Sequence, residues 1–393
     1  MRRLIYIFII GLLLCSYTWA DGSRYASKSL LSEGKWVKIR VDKTGIYKLS
    51  YADLKNMGFS APSKVSVHGY GGWPLDEDFS KEYIDDVPST PVWRGSDYLL
   101  FYGKGPVKWE YDSSSQTFVH TNNPYSLYGY YFVTDATPTN DMTSVAQASG
   151  ATNRITTYDD YLVHEQELVS LAKSGRELYG EDFSGATPRT LSTFSSIPGI
   201  TNEDAKVTMS FVSKVTSGTG VASLSINQSN VLDVSIRSNR EEYVKALEGV
   251  STAVWKGEKS EKNSVVVSYN SASHNNVRLN YVRLHFKRTL QLYGAYTFFR
   301  SIASIGNVSR FVVQGANANT LVFDVTDAQR VRLMETELNG SELTFSIPAG
   351  TLREFVLVRT DQSFISPEVV GEVENQNLHA LEQKDMIIIA AKA

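Results

Sequence analysis

The residues that could carry catalysis or hold a metal are few and scattered along this chain. Its only cysteine, Cys15, lies in an N-terminal segment with the pattern of a removable signal peptide. Once that segment is removed the chain has no thiol, which excludes a cysteine nucleophile, an intramolecular disulfide and a thiolate metal site. We therefore predict no catalytic residue, no cofactor and no metal ligand in the mature chain.

Six histidines are the remaining candidates for acid-base or metal chemistry. His68 lies beside a glycine-rich turn with no nucleophile or second ligand at useful spacing, which favours a surface or turn-packing role. His285 alternates with Arg283 and Lys287, whose charges disfavour its charged form, and the three predict a solvated basic strand face. The others occur singly and match no metal-ligand spacing: His120, His164, His274 and His379.

Two clusters in the first region could bind small ligands. Oxygen-rich loops can hold calcium, but the acidic stretch over 76–86 matches no defined calcium loop and favours a solvated loop. It contains Asp76, Glu77, Asp78, Glu82, Asp85 and Asp86. The glycine cluster lacks the following helix and the Lys-Ser/Thr pair of a phosphate loop, and favours a β-turn; it consists of Gly69, Gly71 and Gly72.

Aromatic residues are abundant in the first region and could form a stacking platform for sugars. The tryptophans concerned are Trp36, Trp73, Trp93 and Trp109. Because aromatic side chains commonly pack the interior of small β-domains, we favour packing, and an exposed strip would instead support carbohydrate binding or protein docking.

The N-terminus predicts export. Arg2 and Arg3 precede an apolar run over 4–14 and the small-residue end Thr18-Trp19-Ala20, so we expect cleavage between Ala20 and Asp21. A lipoprotein, with Cys15 lipidated, would require a small residue where Leu14 stands. The apolar run is too short to span a membrane, and no transmembrane segment is expected in the mature chain.

Charge and composition narrow the class of protein. The chain has 39 basic and 42 acidic residues, and removing Arg2 and Arg3 leaves 37 basic residues. This slightly acidic balance gives no electrostatic basis for binding nucleic acid. With 22 Tyr and 17 Phe and many short Val- and Thr-rich runs, the composition predicts an all-β fold.

The first region, 21–150, is predicted to be a mostly-β domain. Residues 37–41 and 46–49 flank turn residues and predict a β-hairpin, and 50–58 (SYADLKNMG) predict a short capped helix ending at a glycine. Further strands are predicted at 65–67, 97–102 and 128–134. Residues 135–153, rich in Thr, Ala, Ser and Asn, have the composition of a linker.

The second region, 151–365, is predicted to be a β-sandwich or jelly-roll-like region, with a possible sub-boundary near 293. The alternation changes parity between Tyr281 and Val282, which predicts a bulge or a face switch. Strands are predicted at 207–211, 222–226, 265–269, 277–286, 311–313, 321–325, 331–334, 343–347 and 355–358.

The tail, 366–393, differs in pattern. Residues 365–383 are expected to be a connector, and 385–390 (DMIIIA) form a continuous apolar run typical of a parallel strand buried on both faces. We therefore expect the chain to end in the first strand of a truncated α/β domain. An ordinary edge strand of the preceding sandwich is the alternative.

Five segments, taken in order, resemble the N-terminal region of the type IX secretion system sortases, which are gingipain-like cysteine peptidases. They are 41–49 (VDKTGIYKL), 65–72 (VSVHGYGG), 97–103 (DYLLFYG), 123–125 (NPY) and 174–181 (SGRELYGE). The likeness runs from about residue 34 to the end, where 385–390 resemble the first strand of the peptidase domain. One departure is Leu178, where the family usually has Trp.

The resemblance implies a scaffold and docking role outside the catalytic domain. In that family the enzyme cleaves the C-terminal signal from cargo at the outer membrane and joins the new carboxyl end to an amine on lipopolysaccharide, through a thiol acyl-enzyme. The implied partners are outer-membrane secretion proteins and cargo signal domains, and the implied location is the outer membrane or cell surface. The catalytic His and Cys lie in the domain that this chain barely enters, so no residue here inherits those roles.

Two other functions compete with this one. The chain could be a stand-alone carbohydrate-binding or adhesive β-sandwich protein of the cell surface, or an enzyme with chemistry of its own. Because of the composition and the missing thiol, we rank the enzymatic function last.

Overall fold

The computed structural model describes residues 25–78, 80, 84–171, 173, 175–239, 246–272, 274–382, 384–388 and 390. The predicted signal peptide, with Ala20 and Asp21, lies outside these residues. Strands account for 48% of the structure and helices for 6%, which confirms the all-β class. In the described part of the chain, no helix has the length and apolar character needed to cross a bilayer.

The strands divide into three groups along the chain. The first group is β1 (Trp36–Val41), β2 (Gly45–Ser50), β3 (Ser66–Gly71), β4 (Ser89–Thr90), β5 (Val92–Arg94), β6 (Tyr98–Gly103), β7 (Val107–Asp112), β8 (Thr117–Asn122) and β9 (Gly129–Thr134). The second is β10 (Thr143–Val145), β11 (Asn153–Ile155), β12 (Thr157–Glu165), β13 (Arg189–Thr190), β14 (Ala205–Ser213), β15 (Thr219–Ile226), β16 (Ser229–Arg237), β17 (Leu247–Trp255), β18 (Val265–Tyr269) and β19 (Val277–Thr289). The third is β20 (Tyr296–Arg300), β21 (Asn307–Val313), β22 (Thr320–Asp324), β23 (Arg332–Met334), β24 (Glu337–Asn339), β25 (Glu342–Ala349), β26 (Glu354–Arg359) and β27 (Glu368–Val373).

Short helices interrupt the strands. The predicted capped helix is confirmed as α1 (Tyr51–Asn56), where Ser50 Oγ accepts a hydrogen bond from Asp53 N at 3.0 Å and Leu54 is buried. Gly58 follows it with a φ of 92°, which suits the end of a helix. Short 3₁₀ turns occur at Leu30–Ser32, Pro62–Lys64, Ser192–Phe194, Ile302–Ser304 and Leu378–Ala380.

Two sheets, built from strands of the first region and from β27 of the tail, share one core and form what we call the first domain. A five-stranded sheet, in the order β27-β1-β9-β3-β4, packs on a three-stranded sheet, β2-β6-β5. Alternate side chains from the two sheets meet in one core. This core includes Val37, Ile39, Tyr47, Leu49, Val67, Leu99, Phe101, Tyr131 and Val133.

The predicted hairpin of β1 and β2 is wrong. The two strands follow each other in sequence, but β1 pairs with β9 and β27 while β2 pairs with β6. Ile39 of β1 and Leu49 of β2 enter the same core from opposite sheets. Each strand thereby buries an apolar face, so the connection crosses from one sheet to the other.

A nine-stranded sheet organises the second region, in the order β10-β23-β22-β26-β20-β12-β19-β14-β17. Two four-stranded sheets, β13-β18-β15-β16 and β11-β21-β25-β24, pack on one of its faces through large apolar cores. On the other face lie the three-stranded sheet, through Ile46, Leu100 and Tyr102, and the hairpin of β7 and β8. Face-to-face packing of this kind is the sandwich arrangement expected from the alternation.

The predicted bulge is confirmed in β19. Along the pairing with β14, Ser210 is opposite Tyr281 and Phe211 is opposite Leu279, so Asn280 is the extra residue. Leu279 before the bulge and Val282 and Leu284 after it all face the sandwich core, while Arg283 faces the hairpin.

The tail departs from its prediction in two places. Residues 365–383 are not only a connector, because β27 lies within them and pairs antiparallel with β1, where Arg40 Nη2 is 2.6 Å from Glu368 Oε1. The predicted strand over 385–390 is absent from the described residues of that segment, and Ile387 is 81% exposed. A strand takes its hydrogen bonds from a neighbour, and none of the described strands pairs with this segment. The domain boundaries near 150, 293 and 365 stay predictions; the nine-stranded sheet contains strands from both sides of residue 293.

Candidate functional site at the hairpin interface

The hairpin of β7 and β8 joins the first domain to the nine-stranded sheet. Its turn is closed by Asp112, whose carboxylate accepts hydrogen bonds from the hydroxyls of Ser114 at 2.6 Å and Ser115 at 2.5 Å. These bonds lower the pKa of Asp112 to about 2. Lys206 Nζ of β14 donates to the carbonyl oxygens of Ser115 at 2.7 Å and Gln116 at 3.0 Å, which fixes the hairpin tip on the sheet.

Aromatic rings form the centre of this interface. The indole of Trp109 stacks on the ring of Tyr161 in β12, with centroids 4.0 Å apart and an angle of 17° between the planes. Phe118 lies 5.1 Å from Tyr161 and 4.9 Å from the imidazole of His285, centroid to centroid. Offset and edge-on contacts of this kind add to the burial of the rings themselves.

A cluster of polar side chains lies at one end of the interface. His120 Nε2 lies 2.9 Å from Glu165 Oε2, and Asn122 Nδ2 donates to Glu165 Oε2 at 2.7 Å and to Glu167 Oε1 at 2.9 Å. Arg283 Nη1 is 3.3 Å from His120 Nδ1, and burial lowers the pKa of Arg283. The side chains of the hairpin and the sheet therefore share one hydrogen-bonded network.

A buried carboxylate, Asp159, lies beneath the rings. Its oxygens are 3.0 Å from His285 Nε2 and 2.8 Å from Lys287 Nζ, and Ile302 N donates to it at 2.7 Å. Burial raises the pKa of Asp159, but the hydrogen bonds and charges of its partners outweigh burial and hold that pKa below its usual value. Asp159 is therefore a charged group that the fold has fully partnered.

Arg300 connects this network to the rest of the sheet. It is 1% exposed, donates to the carbonyl oxygen of Asp159 at 3.0 Å and to Glu354 Oε1 at 2.7 Å, and lies over the ring of Tyr161 at 4.3 Å. Burial alone would lower the pKa of Arg300, but the charge of Glu354 and its other neighbours raises it instead. The guanidinium thus bridges β20, β12 and β26.

This arrangement fixes geometry and is poorly suited to catalysis. The ionisable groups at its centre, Asp159, Arg300 and His285, are at most 8% exposed and are engaged with one another. Among the described residues, no group of three or more His, Cys, Asp or Glu side chains is placed to hold a metal ion. What the interface can do is hold the hairpin in one orientation on the long sheet, beside the apolar contact that the three-stranded sheet makes with the same face.

The predicted basic face is wrong. Arg283 and His285 are 7% and 8% exposed, and with Lys287 they lie under the hairpin in the network of Asp159 and Glu165. Alternation along a strand identifies the two faces, but it does not reveal that a separate hairpin covers the polar one.

His68 packs beside the glycines and is not at the surface. It is 3% exposed, with Nε2 2.8 Å from Thr137 Oγ1, Nδ1 3.3 Å from the carbonyl oxygen of Val87, and its ring edge-on to Trp36 at 5.3 Å. Burial lowers the pKa of His68. Of the two roles expected, turn packing fits the structure.

The remaining histidines each meet a separate partner. His164 Nε2 is 2.6 Å from Glu181 Oε1, His274 Nδ1 is 2.5 Å from the hydroxyl of Tyr269, and His379 Nδ1 is 3.6 Å from Asp85 Oδ1. With His120, they lie in four different places, which fits their isolated positions in the sequence.

The acidic stretch is divided between two roles. Asp85 and Asp86 accept hydrogen bonds from the backbone N–H groups of Ala26 at 2.5 Å and Leu30 at 2.6 Å, so they anchor the start of the described chain. Glu77 is exposed and lies 2.9 Å from Arg176. Glu82 lies outside the described residues, and the preference for a solvated loop over a calcium site stays a prediction.

The glycine cluster belongs to a bulged strand and not to an isolated β-turn. The β3–β9 pairing shifts register between His68 and Gly71. A Cβ on Gly69, whose φ is 138°, would lie 2.8 Å from the carbonyl oxygen of Tyr130, so the close approach of the two strands requires glycine.

The tryptophans pack separately and form no shared platform. The four indoles lie against His68 for Trp36, beneath Lys104 Nζ for Trp73, beside Tyr98 for Trp93 and on Tyr161 for Trp109. Trp36 is fully buried. Packing, the favoured interpretation, fits these positions.

Sequence reasoning missed the residues that make the interface: Asp159, Tyr161, Glu165, Arg300, Glu354 and the hairpin itself. The hairpin had a signal, because alternating residues flank the turn segment 112–116 (DSSSQ). The charged residues of β12 had none, since a strand with Asp, Tyr and Glu on one face normally indicates exposure to solvent.

No protein-family model matches this chain, and no curated protein matches it. Among solved structures, the chain is similar to dimeric latent PorU from Porphyromonas gingivalis, with 31% sequence identity and a TM-score of 0.83. The match covers 92% of this chain and 35% of the PorU chain, so this chain spans about a third of that length. Isomalto-dextranase from Arthrobacter globiformis T6, complexed with panose, aligns with 65% of this chain and 36% of its own at 9% identity and a TM-score of 0.19, too low to carry an argument. The chain is therefore similar to PorU in fold and in sequence along almost its whole length, as a PorU-like N-terminal region.

Proposed function

We propose that this chain is the non-catalytic N-terminal scaffold of a type IX secretion system sortase, exported and working at the outer membrane or cell surface. The observation that carries the proposal is the match to PorU over 92% of this chain with a TM-score of 0.83, at 31% identity. Because the match covers 35% of PorU, the chemistry is assigned to the part of the protein beyond this region.

In this proposal the catalytic Cys and His belong to a gingipain-like domain that follows the scaffold. That domain removes the C-terminal signal of secreted cargo and attaches the cargo to lipopolysaccharide. The scaffold positions it against outer-membrane secretion proteins and cargo signal domains.

The hairpin interface supports a positioning role. Arg300 and Asp159 hold strands of the nine-stranded sheet together, and Trp109 and Asn122 join the hairpin to that sheet. Directional ionic and hydrogen-bonded contacts are satisfied in few geometries, so this interface disfavours other orientations of the first domain.

Two observations test the assignment. The gene is expected to continue beyond codon 393 into a domain containing Cys and His, and the purified chain is expected to turn over neither peptide nor ester substrates. An in-frame stop at that codon in an intact gene, together with measured glycan binding, would favour the stand-alone adhesin instead. Robust hydrolysis by this chain would assign the chemistry to these residues.

The positioning role is tested in cells of the source organism. Trp109→Ala in the full-length protein is expected to leave more cargo with its C-terminal signal attached, at equal protein abundance. Tyr125→Ala is the matched control, because Tyr125 is 76% exposed in a loop. Equal processing in the two strains would contradict the role of the interface.

A further inference from the structure

Three polar side chains from separate segments meet in one place outside the hairpin interface. His164 is in β12, Thr193 is in the 3₁₀ turn Ser192–Phe194, and Glu181 is in the segment before β13. His164 Nδ1 lies 2.9 Å from Thr193 Oγ1, and His164 Nε2 lies 2.6 Å from Glu181 Oε1. A hydroxyl, an imidazole and a carboxylate are therefore joined in that order.

The backbone around each of these groups is fixed by the sandwich. Strand β12 is paired along its length with β19. Leu279 N of β19 donates to the carbonyl oxygen of Glu181 at 3.1 Å. The buried side chains of Leu191 and Phe194 anchor the 3₁₀ turn in the sandwich core. Groups that are already held in position need little rearrangement before they react.

The carboxylate decides which nitrogen of the imidazole carries the proton. Burial raises the pKa of Glu181, but its hydrogen bond with His164 and the nearby positive charges outweigh burial and hold that pKa below its usual value. A charged carboxylate can only accept, so the proton of the neutral imidazole lies on Nε2 and is donated to Glu181. The lone pair of Nδ1 then accepts the hydrogen bond of the Thr193 hydroxyl.

The hydroxyl is accessible while the other two groups are sheltered. Thr193 is exposed, whereas the side chains of His164 and Glu181 are 11% and 13% exposed. An acyl donor can therefore approach Thr193 from solvent. A hydroxyl within hydrogen-bond reach of a base that a third group orients is the arrangement of an activated nucleophile. The two imidazole nitrogens are used here in the reverse order from the serine proteases, where Nε2 faces the hydroxyl.

We propose that Thr193 is a reactive hydroxyl that takes the acyl group of small activated esters and thioesters, with His164 as its general base and Glu181 as a positioning residue. Oγ1 attacks the carbonyl carbon and gives its proton to His164 Nδ1. The new O–C bond replaces the bond to the leaving group, which departs with the electron pair of that bond and takes the proton from the imidazolium. The products are an acyl-threonine and a free alcohol or thiol.

The acyl group is expected to stay on Thr193. The leaving group of an activated ester is a weaker base than the alkoxide of threonine, so acylation is faster than hydrolysis of the acyl-threonine, which accumulates. The reaction is a single modification of the chain. It does not depend on the sortase assignment.

Acetylation by p-nitrophenyl acetate tests the proposal. The purified chain is expected to gain one acetyl group at Thr193, located by mass spectrometry of the peptide that contains it. His164→Gln should slow this acetylation about 100-fold, because it removes the general base. Glu181→Gln should slow it too, because an amide can donate as well as accept and no longer fixes the proton on Nε2.

Conservative variants separate reactivity from structure. Thr193→Ser keeps a hydroxyl and should be acetylated at least as fast as the parent chain, whereas Thr193→Val keeps the shape and should lose the label. Ser195 is the internal control, because its hydroxyl follows in the same segment and donates to the carbonyl oxygen of Ser192 at 2.7 Å. Circular dichroism checks that each variant is folded.

Equal labelling of Thr193 and Ser195, or an unchanged rate in His164→Gln, would overturn the proposal. A folded parent chain with no label at Thr193 would do the same. Release of p-nitrophenolate beyond one per chain that is lost in Thr193→Val would support the reactive hydroxyl, and it would contradict the inactivity expected of the scaffold.

Discussion

The two faces of the nine-stranded sheet differ where the hairpin of β7 and β8 covers one of them; elsewhere on that face the three-stranded sheet packs through an apolar core that includes Ile46, Leu100 and Tyr102. On the sandwich face, phenylalanines and aliphatic side chains fill two apolar cores, as in the cluster of Phe299, Phe311, Phe345 and Phe355. On the hairpin face, the same strands carry Asp159, Arg283, His285 and Arg300 beneath the rings of Trp109 and Phe118. Strand β12 contributes to both, with Tyr158 in an apolar core and its neighbour Asp159 in the ionic network.

This difference separates stability from orientation. Apolar burial is nearly non-directional and scales with area, so the sandwich cores supply most of the free energy of folding. Hydrogen-bonded ions add little net stability. A geometry that separates them leaves buried charges unpaired, however, and the protein is destabilised in that geometry. The hairpin interface is therefore suited to setting the orientation of the hairpin, while the apolar contact of the three-stranded sheet supplies attachment on the same face.

The largest effect is expected in the apolar core. Phe345 is fully buried and stacks on Phe311 with centroids 4.9 Å apart, so Phe345→Ala leaves a cavity and should lower the free energy of unfolding by about 4 kcal/mol. Phe345→Leu, which keeps most of the volume, should lower it by clearly less. Urea unfolding followed by circular dichroism measures both. A small loss in the alanine variant would show that the core is loosely packed.

The ionic network should respond strongly to the loss of one partner. Asp159→Ala leaves the buried His285 and the partly exposed Lys287 without their carboxylate and should lower the free energy of unfolding by about 3 kcal/mol. Asp159→Asn keeps an acceptor for Ile302 N and should be milder. If the two substitutions have the same small effect, the network contributes no more than a surface ion pair.

The same carboxylate predicts a dependence on pH. The pKa of Asp159 is lower in the folded chain than in the unfolded chain, where the pKa of an aspartate carboxyl is about 4. Its stabilisation is therefore present above that pH and is lost as the pH falls through the folded value. The difference in unfolding free energy between the parent chain and Asp159→Asn should shrink below about pH 4. A difference that is constant with pH would contradict the assignment of the charge.

These two faces also show which parts of the structure can be predicted from the sequence. Alternation of Val207, Met209 and Phe211 identified a strand of the sandwich, and the parity change at Tyr281 located the bulge, because an apolar core imposes period two on its strands. The hairpin face gave no such pattern, since Asp159 and Arg283 have the polarity of solvent-facing residues. Their burial depends on a hairpin about 50 and 170 residues earlier, and single-strand patterns contain no long-range pairing.

The aromatic contact of the hairpin should have an intermediate, local effect. Trp109→Ala removes the stack on Tyr161 and should weaken attachment of the hairpin by about 2 kcal/mol. Hydrogen exchange should become faster in β7 and β8 while β14 and β19 keep their protection. Trp109→Phe, which retains a ring, is the control. Loss of protection throughout the sheet would mean that the hairpin supports the core as well.

The smallest effect is expected at the hairpin tip. Lys206→Met removes the ammonium that bonds the carbonyl oxygens of Ser115 and Gln116 and keeps the length of the side chain. Because these bonds lie at the surface, the loss should be about 0.5 to 1 kcal/mol. Exchange of the turn amides should rise several-fold while those of Trp109 and His120 stay protected, since the rings and the His120–Glu165 contact remain. If Lys206→Met releases the whole hairpin, the tip contact and not the aromatic stack holds the hairpin on the sheet.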